Sequence, residues 1–326
     1  MKPLVSIVMS VYNSQQYLQE TIDSILQQNY KNFELIIVDD CSTDDSWSIL
    51  QNNTDKRIVL LRNDKNMRLA YSLNKAIAIA NGKYIARMDA DDICMMDRFD
   101  LQVAYLEEHS EVDVIGGNYR SFGATNKKSD YQEDHNWIKT GLIFENTLCH
   151  PAVMFRKESI LDWYDTTFVA SQDYDLWTRL IDSHEFHNLK NVLIKYRVHD
   201  GQTVKKLSGY QKVGANKARM RMLEKSSFTE EEKKVLIRFI NYTKIESINQ
   251  FIHCCKLIES GRKKCWDIDI RAYSFYSSRC IWNNVLHQKS TEFFIPIVTY
   301  SLIHHGAYLL RRPRTVYYLL KGMIGK

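Results

Sequence analysis

The sequence predicts an α/β protein: a mostly parallel central sheet flanked by helices, followed by a basic, mainly helical region. Three observations carry that expectation. Short runs rich in β-branched residues alternate with amphipathic stretches over the first 120 residues, polar and acidic side chains gather just after those runs, and the charge changes sign along the chain. Residues 1–200 hold 21 Lys and Arg against 30 Asp and Glu, whereas residues 201–326 hold 23 against 9. The net charge of +5 thus hides an acidic part suited to a cation and a basic part suited to an anionic surface.

Leu4–Ser10 reads as a buried strand. Ser14–Gln28 places Tyr17, Leu18, Ile22, Ile25 and Leu26 on one helical stripe. Phe33–Val38 is a second strand running into Asp39-Asp40, and Ser42-Thr43-Asp44-Asp45 caps a helix that continues through Leu50. Arg57–Leu61 is a third strand, Leu69–Ala80 a helix, Lys83–Met88 a fourth strand, Leu101–His109 a helix and Val112–Ile115 a fifth strand. This βαβαβαβαβ order implies a parallel sheet covered on both faces, with ligands at the carboxyl ends of its strands. Tyr12, Asp39 and Asp89–Asp92 all fall there.

At 326 residues the chain suffices for two domains, and its 44% apolar and 25% charged content is that of an ordinary soluble globular protein. The charge change and the loop His199–Thr203 set a boundary near 205, giving residues 1–205 and 206–326. Seven cysteines without a C-x-x-C pair read as reduced thiols in a cytosolic protein. Val5–Val11 runs into Tyr12-Asn13 with no cleavage site, so no signal peptide is expected, and no run reaches the ~18 apolar residues of a membrane span. From Phe293 onward there is no acidic residue, while Arg311, Arg312, Arg314, Lys321 and Lys326 stand among apolar and aromatic residues. That tail is expected to bind an anionic membrane surface without crossing it. Nucleic acid is not an expected partner.

The chemistry is concentrated in Asp89-Ala90-Asp91-Asp92. If the strand continues through it, Asp89 and Asp91 face one site about 6.6 Å apart and Asp92 turns away. Such carboxylates suit Mg²⁺ or Mn²⁺, which are usually shared with a ligand's phosphates. The same residues also fit a capped loop ahead of the helix starting near Asp97. No Gly-x-Gly-x-x-Gly follows the first strand and no Gly-x-x-x-x-Gly-Lys-Ser/Thr occurs, so phosphate must be held by the cation and basic side chains.

These residues resemble the family 2 glycosyltransferases, nucleotide-sugar enzymes of the glycosyltransferase A-type fold. The matching blocks are Val5–Asn13, Glu34–Asp45, Ser72–Ile77, Ile85–Asp92, Cys149–Arg156, Gln172–Trp177 and Tyr196–His199. The resemblance covers residues 4–200 and implies an inverting transfer from a UDP-sugar to a lipid-linked saccharide acceptor in bacterial capsule, O-antigen or other surface polysaccharide synthesis. It implies that Ser10, Tyr12 and Asp39 line the base pocket, with Asp39 accepting the uracil N–H. Arg68 would lie against the nucleotide, at a position where other members have glycine. Asp89 would lie near ribose or metal, Asp91 would bind Mn²⁺ or Mg²⁺ directly, and Asp173 would be the catalytic base. Gln172 stands where Glu is common. His199 is either a third metal ligand or a structural histidine. His150 reads as shaping a turn, and Trp137 and Trp177 as core. A peripheral location on the inner face of the cytoplasmic membrane follows from the lipid-linked acceptor.

Two other readings stay open. A sugar nucleotidyltransferase shares the sheet and acidic ligands but carries a Gly-rich basic loop where this chain has Asn13-Ser14-Gln15-Gln16. A non-catalytic nucleotide-sugar-binding regulator would keep the pocket; the presence of both Asp91 and Asp173 counts against it.

Overall fold

The computed structural model describes residues 3–199, 207–265, 267–287, 297, 298, 300 and 301. The chain divides into two compact units, one of Met1–Ile138 with Asn146–Ala215 and one of Lys139–Glu145 with Asn216–Lys326. The cationic tail from Phe293 lies almost entirely outside the described residues.

In the first unit, β1 (Val5–Val11), β2 (Phe33–Asp39), β3 (Ile58–Arg62) and β4 (Tyr84–Met88) alternate with α1 (Leu18–Leu26), α2 (Ser46–Asn52) and α3 (Arg68–Ile79). These elements match the sequence expectation because β1, β2 and β4 are mainly apolar runs buried along nearly their whole length, β3 is a partly exposed apolar run at the sheet edge, and α1 and α3 each carry one apolar stripe. The order β3-β2-β1-β4 is parallel throughout. Val11 pairs with Asp39 and Met9 with Met88, so β1, β2 and β4 end along one edge of the sheet.

Beyond β4 the sheet becomes mixed. After β5 (Ile93–Cys94) and α4 (Arg98–Glu108), β6 runs from Val112 to Gly123, well past Ile115. It does not pair with β4. A three-residue strand, β7 (Met154–Arg156), lies between them, antiparallel to both. β8 (Glu185–Val198) pairs in parallel with β6, and β5 closes the far edge antiparallel to β8. Ahead of β7 stands α5 (His135–Gly141), and ahead of β8 stands α6 (Gln172–Leu180). Trp177 on α6 is fully buried, as expected of core, whereas Trp137 is half-buried.

The basic region is helical where it is described: α7 (Ser208–Glu224), α8 (Glu230–Ile240), α9 (Ile248–Lys264) and α10 (Ile270–His287). Thr229 and Glu232 form a reciprocal cap at the head of α8. The core of the second unit is built from Phe239, Phe251, Ile258, Tyr273 and Trp282. Gly261 is required there, because a Cβ would lie 1.8 Å from the Tyr273 hydroxyl, which donates to Ile258 O at 2.7 Å. All seven cysteines are free thiols, and no helix among the described residues is long and apolar enough to cross a membrane.

Candidate active site

The loops after β1 and β2 are tied together residue by residue. Asn13 and Ser14 donate backbone N–H groups to Ser42 Oγ at 3.0 Å and Ser46 Oγ at 2.8 Å. Gln15 N–H reaches Asp44 Oδ2 at 3.1 Å, and Thr43 N–H and Asp45 N–H return to Asn13 Oδ1 and Gln15 Oε1, both at 2.8 Å. The expected capping run therefore does a second task. Only Asp44 also caps α2, taking the Ser46 N–H at 3.0 Å, while Asp45 makes no side-chain cap.

This junction frames the expected base pocket. Ser10 is half-buried at the end of β1 and Tyr12 is 48% exposed. Asp39 is fully buried and already accepts from Arg62 Nε at 3.0 Å and from Ser42 N–H at 3.2 Å. Arg62 in turn lies 4.8 Å over the Trp47 ring. Asp40 anchors the next helix: its oxygens accept from Asn63 Nδ2 and the N–H groups of Met67 and Arg68 at 2.7–2.8 Å. Arg68 itself is exposed with φ of +72°, a backbone that favours glycine. Asn13, Cys41 and Ser171 also have positive φ. Strained residues of this kind gather where surrounding structure holds them for function.

The acidic stretch after β4 is a turn, and this corrects the expectation for Asp92. The strand ends at Met88, so strand alternation does not extend to Asp92. Asp89, Asp91 and Asp92 each bring a carboxylate oxygen within 4.8 Å of the others. The turn's backbone is fastened by Thr21 Oγ1, which donates to Asp92 O at 2.8 Å, and by Arg197 Nε, which donates to Asp91 O at 2.7 Å. Arg197 N–H also donates to Asp92 Oδ1 at 2.8 Å, but Asp92 Oδ2 is buried with no partner. Asp89 pairs with Arg87, and Asp91 Oδ2 lies 3.0 Å from His199 Nε2. His199 also stands edge-on to Tyr17. Burial and then the neighbouring Asp89 push the Asp91 carboxyl above its ordinary range, with His199 opposing. Burial, Asp89 and Asp91 push Asp92 well above. Three crowded carboxylates, one with a buried unpartnered oxygen, are a donor set that fits a hard divalent cation.

Asp173 sits in the first turn of α6, entered through Ser171 with φ of +62°. Its Oδ2 accepts from Asn146 Nδ2 at 2.7 Å. Burial raises its carboxyl above the ordinary range, and the Tyr174 N–H, the Arg87 charge and Asn146 oppose that rise. His150 lies on a 3₁₀ turn, as expected, and its Nε2 is 2.8 Å from the Tyr164 hydroxyl. Arg87, Asn146 and Tyr164 were not legible as site residues. An arginine inside the otherwise apolar run Ile85-Ala86-Arg87-Met88 was the one signal available.

A model of the glycosyl transferase family 2 matches residues 6–167. An uncharacterized glycosyltransferase of Methanocaldococcus jannaschii is 35% identical over 213 residues, covering 60% of this chain and 71% of that protein. The UDP-Glc:alpha-D-GlcNAc-diphosphoundecaprenol beta-1,3-glucosyltransferase WfaP of Escherichia coli is 31% identical over 203 residues, 61% of this chain and 78% of that protein. Among solved structures, S. aureus TarS 1–349 in complex with UDP-GlcNAc matches with a TM-score of 0.60 at 15% identity, covering 91% and 89% of the two chains. The mannosyltransferase PcManGT of Pyrobaculum calidifontis, with GDP-Man and Mn²⁺, matches at 0.52 and 16% identity over 99% and 87%. These two bear on the fold alone, and it is that of the glycosyltransferase A-type enzymes.

Proposed function

The chain belongs to glycosyl transferase family 2, and from that premise we propose an inverting, metal-dependent enzyme that moves a hexosyl or N-acetylhexosaminyl group from a UDP-sugar to a hydroxyl of a lipid-linked saccharide. Its setting would be bacterial capsule, O-antigen or other surface polysaccharide synthesis, and its catalytic part residues 1–205. The observation that carries this reading is the turn after β4, with three carboxylates within 4.8 Å on the same sheet edge as Asp39. The relative that glucosylates a diphosphoundecaprenol-linked sugar and the UDP-GlcNAc complex of the S. aureus protein support it.

Asp91 with Asp89, and His199 if it leaves its bond to Asp91, would hold Mn²⁺ or Mg²⁺. When bound, that cation supplies charge neutralisation for the departing diphosphate. Ser10, Tyr12, Asp39 and Arg68 would hold the nucleotide. Asp173 would take the proton of the acceptor hydroxyl as its oxygen attacks C1 from the face opposite the leaving group. Its raised affinity for protons suits a base, and Asn146 fixes the carboxylate in one orientation. A correctly placed base contributes roughly 10²–10⁴-fold. A single displacement of this kind inverts the anomeric centre.

Incubation with a panel of UDP-sugars, Mn²⁺ and diphosphopolyprenyl-linked saccharides tests the reading. Acceptor-stimulated UDP release that disappears with a chelator is expected; UDP binding without release for any pair would contradict transfer. The tail is expected to hold the enzyme at the inner leaflet, five cations contributing at most about 5 kcal/mol. Anionic vesicles should therefore co-sediment the full chain and not one ending at Thr291. Equal binding by both would contradict the tail's role.

A further inference from the structure

An arginine paired with an aspartate stands at each end of β3, and the two pairs are built differently. Just before the strand, Arg57 closes on Asp55 as a fork, Nε to Oδ1 at 3.0 Å and Nη2 to Oδ2 at 2.7 Å. Its guanidinium also lies 4.3 Å over the Phe33 ring. Both carboxylate oxygens are used, as a structural ion pair uses them. At the end of β3, Arg62 stands in register with Asp39 at the end of β2, its guanidinium 4.8 Å over Trp47. Here the fork stays open. Nε alone reaches Asp39, at Oδ2 and 3.0 Å, while Nη2 turns to Ser42 O at 3.3 Å. Nη1 makes no hydrogen bond to a described residue. Asp39 Oδ1 receives only the long arm of the Ser42 N–H, at 3.4 Å.

Beside the matched loop junction, this pair therefore keeps one donor and one acceptor to spare. Burial gives the order of approach: the Asp39 side chain is fully buried and that of Arg62 is 42% exposed. A ligand at this edge meets the guanidinium, and reaches the carboxylate only beside it. A donor next to an acceptor is the complement of an imide edge. Uracil carries O4, an acceptor, next to N3–H, a donor. Cytosine has the same shape and reverses both, with an amine at C4 and a bare N3. Against this pair it sets donor to donor and acceptor to acceptor, and polar groups so mismatched are left unpaired.

We propose that Arg62 is a specificity-determining residue of the donor site: its guanidinium donates to uracil O4 while Asp39 accepts the neighbouring N3–H. This rests on Asp39 meeting the uracil N–H. Arginine suits the task because one rigid plane holds Asp39 through one nitrogen and O4 through another. Lysine would have to divide a single nitrogen between them.

Calorimetric titration of UDP, CDP and 4-thio-UDP into the full chain with Mn²⁺ tests this in the parent, Arg62→Met and Asp39→Asn. The parent should bind UDP more tightly than CDP by on the order of 10²-fold or more. It should bind UDP about tenfold more tightly than 4-thio-UDP, whose sulfur is a poor acceptor in place of O4. In Arg62→Met, UDP affinity should fall about tenfold to that of 4-thio-UDP, and CDP affinity should not fall. A folded Arg62→Met that loses UDP and CDP affinity equally would overturn the proposal, because that is what a merely structural arginine would do. So would a parent that binds 4-thio-UDP as tightly as UDP, which decides the matter if Arg62→Met does not fold. A parent with no preference for UDP over CDP would overturn both this role and the uracil contact of Asp39. An Asp39→Asn variant that keeps the parent's preference would overturn the Asp39 contact, while the difference between UDP and 4-thio-UDP would still report on Arg62.

Discussion

The loop junction after β1 and β2 and the acidic turn after β4 share one sheet edge, yet they are built on opposite electrostatic terms. At the junction donors and acceptors are matched: Asn13, Gln15, Ser42, Asp44 and Ser46 exchange hydrogen bonds in both directions, and Asp40 accepts three. At the turn three carboxylates share a site with the Arg87 pair, the His199 contact and one buried unpartnered oxygen. The first region is self-sufficient. The second is balanced only when positive charge is added. Changes at the junction should therefore cost folding stability, and changes at the turn should cost ligand binding.

The largest expected effect lies outside both regions and separates binding from chemistry. Asp173→Asn keeps the shape of the side chain but cannot take the acceptor proton. Transfer should fall by about 10²-fold or more with UDP-sugar affinity near that of the parent. A rate within about tenfold of the parent would move the base elsewhere.

Asp40→Ala breaks the comparison from the junction side. It strands two N–H groups at the start of α3, one of them belonging to Arg68 in its strained conformation, and removes one of the two acceptors of Asn63 Nδ2, which keeps Ser72 Oγ at 2.9 Å. A loss of about 2–3 kcal/mol in chemical denaturation is expected. No measurable loss would mean that water replaces the carboxylate readily.

Asp92→Asn sharpens it from the turn side. A carboxyl whose folded-state pKa is raised binds its proton more tightly when folded. Its contribution to stability is therefore present at low pH and lost as pH rises through the folded-state value. Without metal at neutral pH, Asp92→Asn should be at least as stable as the parent. It should also lose less stability than the parent as pH rises from the ordinary carboxylate range. Clear destabilisation at neutral pH would show that the turn needs the Asp92 charge for its own structure.

Much of this arrangement was legible in the sequence, and the misses have physical causes. β1 to β4 fall within a residue or so of their expected limits, because each is a short, mainly apolar run, buried in β1, β2 and β4 and partly exposed in β3 at the sheet edge. β7 was not legible, because three residues carry no period. The second half of β6 was hidden by Gly116-Gly117-Asn118, which reads as a break although Asn118 Nδ2 fastens it to Lys190 O at 3.2 Å. Asp39, Asp89 and Asp91 fell at the expected sheet edge because strand ends set it. Asp92 was misdirected by carrying strand alternation past Met88 into a turn. Arg87 was passed over because the carboxylates beside it drew the reading, although a charge inside a buried strand is itself informative.

The central claim is that the turn after β4 is a cation site completed by a nucleoside diphosphate, and Asp91→Asn tests it most directly. Calorimetric titration of UDP into the full chain, with and without Mn²⁺, should show that the metal strengthens UDP binding to the parent. In Asp91→Asn that gain should be largely lost while the thermal transition is kept. An Asp91→Asn chain that binds Mn²⁺ and UDP as the parent does would contradict the account.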